Sequence, residues 1–207
     1  MDNKQTGDFF CLFLQEDWNE IMLYIIRHGK TDWNNERKLQ GRTDIPLNEE
    51  GIEMARRARD EYRDVPFDIC YCSPLKRARQ TADILLEGRD IPIITDDRLL
   101  EMSFGIYEGM ANGYDDPDLY VSRLFKDPAG FTERLEGGES LDDLFERTGD
   151  FLESVVKPLL SQNKNVLIVG HGAMNSSIVS RIRGMERKDF WAAGIENCKL
   201  MELGDRI

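Results

Sequence analysis

The chain has 207 residues, 41% of them hydrophobic and 32% charged, a length and mix that suit one domain with a full core. Its formal net charge of -12 argues against a nucleic-acid partner, because phosphate-backbone binding needs a basic face. The same charge means that an anionic substrate must be held by positive charge focused in one pocket.

Residues 1–21 stand apart as an N-terminal extension of unassigned role. Two readings stay open: a segment that packs through Phe9, Phe10, Phe13 and Trp18, or a start placed upstream of the true one at Met22. Its apolar run, Phe9 to Leu14, is far shorter than the roughly 20 residues of a membrane span. No basic segment precedes that run and no small-residue cleavage site follows it, so neither a signal peptide nor a membrane anchor is expected. The four cysteines, Cys11, Cys70, Cys72 and Cys198, read as reduced buried thiols of a cytoplasmic protein. Cys70 and Cys72 share one face of a strand-like run, and no spaced ligand set completes a metal site around them.

From residue 22 onward short apolar runs alternate with amphipathic stretches, the pattern of an α/β domain over 22–207. Met22 to Ile26 predicts a fully buried strand. Asn48 with Glu49 and Glu50 predicts a capped helix running through Met54 and Ala58. Phe67 to Cys72 predicts a second strand, and a helix follows from about Pro74, a residue favoured in a first turn. Ile91 to Thr95 supplies a third strand. The stretch Gly109 to Gly138 is broken by Asn112-Gly113, Asp116-Pro117 and Asp127-Pro128, with one short helix around Leu119 to Phe125. Ser140 with Asp143 forms a capping-box pattern, and helical spacing then continues through Val156. Val166 to Val169 is a further buried strand, followed by helices around Ala173 to Ile182 and Arg187 to Ala192. Lys199 to Leu203 closes the sheet. No repeat, linker or low-complexity tract interrupts this order.

The chemistry-bearing residues collect at strand ends. The protein has two histidines, His28 and His171, and each follows an apolar strand and precedes a glycine: Arg27-His28-Gly29 and Gly170-His171-Gly172. In an open α/β sheet the carboxyl ends of parallel strands border the ligand crevice, so two such histidines are expected to face one another across it. The helix after His171 can aim free N–H groups at an anion. Ser73 to Ala82 likewise leaves a strand and opens a helix. Arg77, one turn beyond Ser73, is placed to reach an anion at that mouth, whereas Arg79 is rotated away toward solvent.

Taken in order, these segments resemble the histidine phosphatase superfamily, also called phosphoglycerate-mutase-like. The matching residues are Arg27-His28-Gly29 with Thr31, Trp33 and Asn34; Leu39-Gln40-Gly41-Arg42 leading to Pro46-Leu47; and Ser73 to Ala82. Leu100-Glu101, Phe104-Gly105, Glu108-Gly109, Gly137-Gly138-Glu139-Ser140 and Gly170-His171-Gly172 complete the set. They cover nearly everything from residue 22 onward, and residues 1–21 have no counterpart. The resemblance implies a single three-layer domain with a mostly parallel central sheet and helices on both faces.

It also implies roles. His28 would be the nucleophile and become a phosphohistidine, kept neutral by nearby cations. Arg27, Arg77 and His171 would clamp the equatorial phosphoryl oxygens. Glu101, which nothing in its local pattern singles out, would protonate the leaving oxygen and then activate water. Asn34, Gln40 and Gly41 would line the substrate side, with Thr31 and Gly172 as further phosphate contacts. No metal and no cofactor is implied, and the implied partner is a small phosphorylated metabolite.

Relatives of this kind differ in what receives the phosphoryl group. Cofactor-dependent mutases carry a longer insertion between the Glu101 and Gly138 positions and a C-terminal tail over the phosphohistidine. The shorter segment here implies an open site and hydrolysis. A phosphoglycerate mutase and a non-catalytic phosphate-binding module are the alternatives. The substrate is not legible: Tyr107, Tyr114, Tyr120, Arg123 and Lys126 could each bind it or merely be exposed. Oligomeric state is not indicated.

Overall fold

In the first strand, side chains alternate between two faces, and both faces are buried. Leu23 and Ile25 enter one hydrophobic cluster, while Tyr24 and Ile26 enter another. A strand buried on both sides needs a layer of helices above and below it. The computed structural model describes residues 21–204 and has that three-layer form. The two readings of residues 1–21, including Phe9, Phe10, Phe13, Trp18 and Cys11, and the last three residues of the chain fall outside the described residues.

The central sheet has the order β3-β2-β4-β1-β5, built from β1 (Leu23–Arg27), β2 (Ile69–Cys72), β3 (Ile93–Thr95), β4 (Val166–Gly170) and β5 (Leu200–Glu202). All neighbours pair in parallel except β5, which runs antiparallel to β1 and closes that edge. Arg27 lies opposite Gly170 in the β1–β4 register, so the two histidines leave the centre of the sheet side by side. One helical layer contains α2 (Glu49–Glu61) and α3 (Lys76–Leu85), packed on Cys70, Cys72, Leu167 and Val169. The other contains α5 (Leu141–Phe151) and α7 (Gly172–Arg183), packed on Leu23, Ile25, Val166 and Ile168. Shorter helices are α1 (Asp32–Asn35), α4 (Ser122–Lys126) and α6 (Lys157–Leu160).

Three expectations are corrected. Pro74 precedes its helix instead of occupying the first turn, because Leu75 is the N-cap and α3 begins at Lys76. The helix expected through Val156 is α-helical only to Phe151 and widens into a π turn over Leu152–Val156. Pro158 follows at the second position of α6; it brings no N–H and crowds the carbonyl four residues back, which disrupts a regular α-helical ladder there. Arg187 to Ala192 forms one 3₁₀ turn, Arg187–Asp189, not a helix. The Ser140 capping box, by contrast, is local chemistry and forms as read: Ser140 Oγ accepts from Asp143 N at 3.2 Å while the Asp143 carboxylate accepts from Ser140 N at 2.7 Å.

Candidate active site

β1 delivers His28 to a turn that only a tight backbone approach allows. A Cβ on Gly29 would collide with the carbonyl oxygen of Gly51, where the first turn of α2 passes. The Gly29 N–H donates to Thr81 Oγ1 at 3.0 Å, and the Thr81 hydroxyl donates in turn to the Arg77 carbonyl at 2.7 Å. The His28 carbonyl accepts from Asn197 Nδ2 at 2.6 Å. These bonds fix the main chain around the ring.

The ring itself is oriented by one contact. His28 Nδ1 lies 2.6 Å from the Gly29 carbonyl oxygen. A carbonyl can only accept, so Nδ1 carries the proton and Nε2 keeps its lone pair. Burial, then the nearby Arg77 and Arg27 charges, hold the His28 pKa well below its usual 6.5, although the Gly29 bond opposes them. A neutral imidazole with a free Nε2 is the form a nucleophile needs.

His171 is fully buried, and its ring centroid lies 5.1 Å from that of His28, edge to face. Its pKa is also held well below 6.5, by burial first and then by Arg77, His28, Arg27 and Arg147. Arg77 is wholly buried and reaches the loop before α2, donating from Nη1 to the Thr43 carbonyl at 2.8 Å and from Nη2 to the Gly41 carbonyl at 2.7 Å. Burial pushes its pKa down to about 10 despite Glu101, Asp44 and Glu108. Arg27 donates from Nη1 to the Ile195 carbonyl at 3.2 Å, and burial likewise lowers its pKa. Four nitrogens here are buried without a partner among the described residues: Arg27 Nε, Arg77 Nε, and Nδ1 and Nε2 of His171. Neutral His171 carries one N–H, so three of these nitrogens are donors, a set that suits an anion with several oxygens.

Glu101 sits at the start of α7. Its Oε1 accepts from Met102 N at 2.9 Å and Met174 N at 3.0 Å, and its Oε2 from Ala173 N at 3.2 Å. The helix mouth expected to face an anion therefore faces this carboxylate. Behind it, the Glu139 carboxylate accepts from Ser103 N at 2.9 Å, Arg42 Nη2 at 2.7 Å and Arg147 Nε at 2.9 Å. Arg147 also donates to the Arg98 and Glu101 carbonyls, at 2.6 and 3.2 Å, which anchors the loop that carries Glu101.

A cavity of about 210 Å³ opens onto these groups, lined by Arg27, His28, Gln40, Gly41, Arg77, Glu101 and Gly172 on its polar side. Gly41 has φ +54°, and a Cβ there would overlap the Glu108 carboxylate, which accepts from Arg42 N at 3.0 Å and Thr43 N at 2.9 Å. Of the residues assigned to the site from the sequence, Thr31, Asn34 and His171 do not line the cavity; His171 is fully buried behind the His28 ring. Thr31 is buried, its hydroxyl 3.0 Å from Gln40 Oε1, and Asn34 Oδ1 accepts from Thr31 N at 3.0 Å in the capping box of α1. Thr31 braces Gln40, and Asn34 braces Thr31 and the turn. Phe104, Phe125 and Trp191, not assigned to the site from the sequence, complete the cavity together with Tyr114. No periodicity marks them, since each comes from a different loop, turn or, for Phe125, the short helix α4.

Among the described residues no three His, Cys, Asp or Glu side chains cluster as metal ligands. Cys70, Cys72 and Cys198 are free thiols, and burial pushes Cys72 up to about 11 and Cys198 to about 12. No described helix is long and apolar enough to cross a membrane.

The chain is similar in sequence and in fold to known proteins. The family profile described as histidine phosphatase superfamily (branch 1) matches residues 23–205. An uncharacterized phosphatase, PhoE, of Bacillus subtilis is 37% identical over 160 residues, covering 77% of this chain and 76% of that protein. A 2,3-bisphosphoglycerate-dependent phosphoglycerate mutase of Cytophaga hutchinsonii is 31% identical over 170 residues, 81% of this chain and 80% of that one. Among solved structures, YhfR of Bacillus stearothermophilus superposes with a TM-score of 0.79 at 29% identity, over 88% of this chain and 90% of its own.

Proposed function

The chain belongs to the histidine phosphatase superfamily, and from that membership we propose that it hydrolyses phosphomonoesters through a phosphohistidine on His28. The observation that carries the reading is the set of unpartnered buried N–H donors, Arg27 Nε, Arg77 Nε and the one N–H of neutral His171, beside a histidine whose Nε2 lone pair is free. A phosphoryl dianion has the oxygens to satisfy them.

In the first step His28 Nε2 bonds to phosphorus as the bond to the leaving oxygen breaks, and the carboxyl proton of Glu101 passes to that oxygen. The carboxylate left behind is held by the Met102, Ala173 and Met174 N–H groups. In the second step Glu101 takes a proton from water, the hydroxyl oxygen bonds to phosphorus, and the N–P bond breaks. Phosphate leaves, with His28 neutral again and Glu101 reprotonated. Gln40, Gly41 and Gly172 line the substrate side, while Thr31 and Asn34 support it from behind. No metal or cofactor takes part in this scheme. The setting we infer is the cytoplasm, in keeping with the buried free thiols, and the catalytic domain spans 22–207 with 1–21 an extension.

The mutase relative makes transfer to a second substrate hydroxyl the competing reading. With hydrolysis, inorganic phosphate appears in step with the alcohol; with transfer, 3-phosphoglycerate becomes 2-phosphoglycerate under stimulation by 2,3-bisphosphoglycerate, with little phosphate released. Rapid quenching should trap an adduct that is labile in acid and stable in base, as a phosphoramidate is. His28→Ala should fold, fail to form the adduct and lose turnover. An acid-stable adduct, or near-normal turnover in His28→Ala, removes His28 as the nucleophile. Retained phosphate without turnover on any ester would instead mark a binding module.

A further inference from the structure

The cavity beside His28 has two unlike walls. Opposite the polar groups stand Phe104, Tyr114, Phe125 and Trp191. These rings form one packed unit: Phe125 stacks on Trp191 at 5.3 Å and 18°, and Tyr114 and Phe104 meet Phe125 at 4.6 and 6.3 Å. Their polar tips are occupied by the backbone, since Trp191 Nε1 donates to the Leu124 carbonyl at 2.6 Å and the Tyr114 hydroxyl to that of Lys38 at 3.4 Å. What the wall offers a ligand is therefore ring surface.

Positive charge near this wall is engaged elsewhere. Arg37 pairs with Asp115 at 2.5 Å, Lys38 with Glu36 at 2.5 Å, and Lys126 donates to the Asp115 carbonyl. The Arg123 guanidinium lies over the Tyr120 ring at 5.8 Å. None of these lines the cavity. Once a phosphoryl group engages Arg27 and Arg77, the described residues offer no further cation on the cavity surface, and Glu101, which carries its proton in the first step, gives a second anion no compensating charge. The cavity, about 210 Å³, is smaller than the usual ligand cleft of roughly 300–1,000 Å³, so beside a phosphoryl group it suits a leaving group of about one ring.

Building on the phosphatase reading above, we propose that this site selects phosphomonoesters of uncharged, ring-bearing apolar alcohols and discriminates against esters that carry a carboxylate or second phosphate beside the reacting group. The aromatic wall takes the ring, and because the described residues place no free cation on the cavity surface, a second negative charge stays uncompensated. Phe104, Tyr114, Phe125 and Trp191 are then specificity-determining residues, contributed by segments that meet only in the folded chain.

The test uses the full chain and three alkyl esters, so that aryl leaving-group reactivity does not enter: 2-phenylethyl phosphate, n-propyl phosphate and O-phosphoserine. Serine's hydroxyl is the best leaving group of the three, which biases the comparison against the proposal. Phosphate release should give kcat/KM for 2-phenylethyl phosphate about tenfold above n-propyl phosphate, the scale of one stacked and buried ring. O-Phosphoserine should fall below n-propyl phosphate. Phe125→Leu should shrink the phenylethyl-to-propyl ratio through KM, and Phe104→Arg should raise activity toward O-phosphoserine by supplying the missing cation. Equal kcat/KM for all three esters, or a preference for O-phosphoserine in the unaltered chain, overturns the substrate class and leaves the phosphatase reading standing. No phosphate from any of them and no trapped phosphohistidine overturns both.

Discussion

Arg77 does two jobs with one guanidinium, and removing it separates them. Its Nη1 and Nη2 brace the carbonyls of Thr43 and Gly41, while its Nε has no partner among the described residues and sits with the unpartnered nitrogens of Arg27 and His171. Replacing it by methionine keeps the bulk and deletes both. On the folding side, two carbonyls lose a partner at about 1–3 kcal/mol each. Against this, a pKa pushed down to about 10 corresponds to roughly 3 kcal/mol held against the charged form in the empty site, and that penalty disappears with the charge. The net change in stability should therefore stay within about 3 kcal/mol. On the catalytic side, one preorganised donor to developing charge is typically worth about 100- to 1,000-fold in kcat. Arg77→Met should lose activity on that scale while urea unfolding shows a folded protein. A second readout is independent of rate. Arg77 depresses the His28 pKa, and His28 must be neutral to attack, so activity is lost as pH falls through that pKa. In the unaltered chain that acid limb lies well below pH 6.5; in Arg77→Met it should move upward, toward 6.5. Arg77→Lys should keep the limb low and still lose rate, because an ammonium cannot span two carbonyls and a phosphate. Running all three proteins on one ester cancels the ester's own ionisation. If kcat/KM per folded molecule and the acid limb were both unchanged in Arg77→Met, Arg77 would be a loop brace and nothing more.

Two further outcomes follow from the site. Glu101→Gln should slow phosphorylation by an alkyl ester far more than by nitrophenyl phosphate, since general acid catalysis is typically worth about 100- to 10,000-fold and a good leaving group needs little of it; equal losses in that isolated step would assign the proton to another group. His28 and His171 are both depressed below 6.5, so on acidification the unfolded chain binds protons that the folded chain refuses. Stability should then fall as pH drops below about 6.5, by about 1.4 kcal/mol per pH unit for each histidine until its folded pKa is reached. His171→Asn should reduce that slope in urea titrations, and identical slopes in the two proteins would contradict the buried, neutral assignment.

The sequence by itself determined those parts of the molecule whose cause is local. Apolar runs such as Met22 to Ile26 and Val166 to Val169 can be satisfied only inside a covered sheet, and they form its centre. Arg27-His28-Gly29 and Gly170-His171-Gly172 follow adjacent parallel strands, so two matching contexts far apart in the chain converge. The Ser140 and Asn48 caps are bonds between residues three apart and needed no fold to be read. Where a local signal competed with packing, it failed: Arg187 to Ala192 has helical spacing but closes only one 3₁₀ turn, with Phe190 buried against Phe145 and Trp191. Glu101 is the clearest case of information absent from its own neighbourhood. Its position is set by the N–H groups of Ala173 and Met174, more than seventy residues onward, and by the Glu139–Arg147 pair behind its loop. The aromatic wall is another. Phe104, Tyr114, Phe125 and Trp191 lie in loops, turns and one short helix with no shared period, and a cavity is a property of which surfaces fail to meet after the rest have packed. Periodicity records which side of an element is buried; only the closed tertiary structure decides which buried sides face a common space.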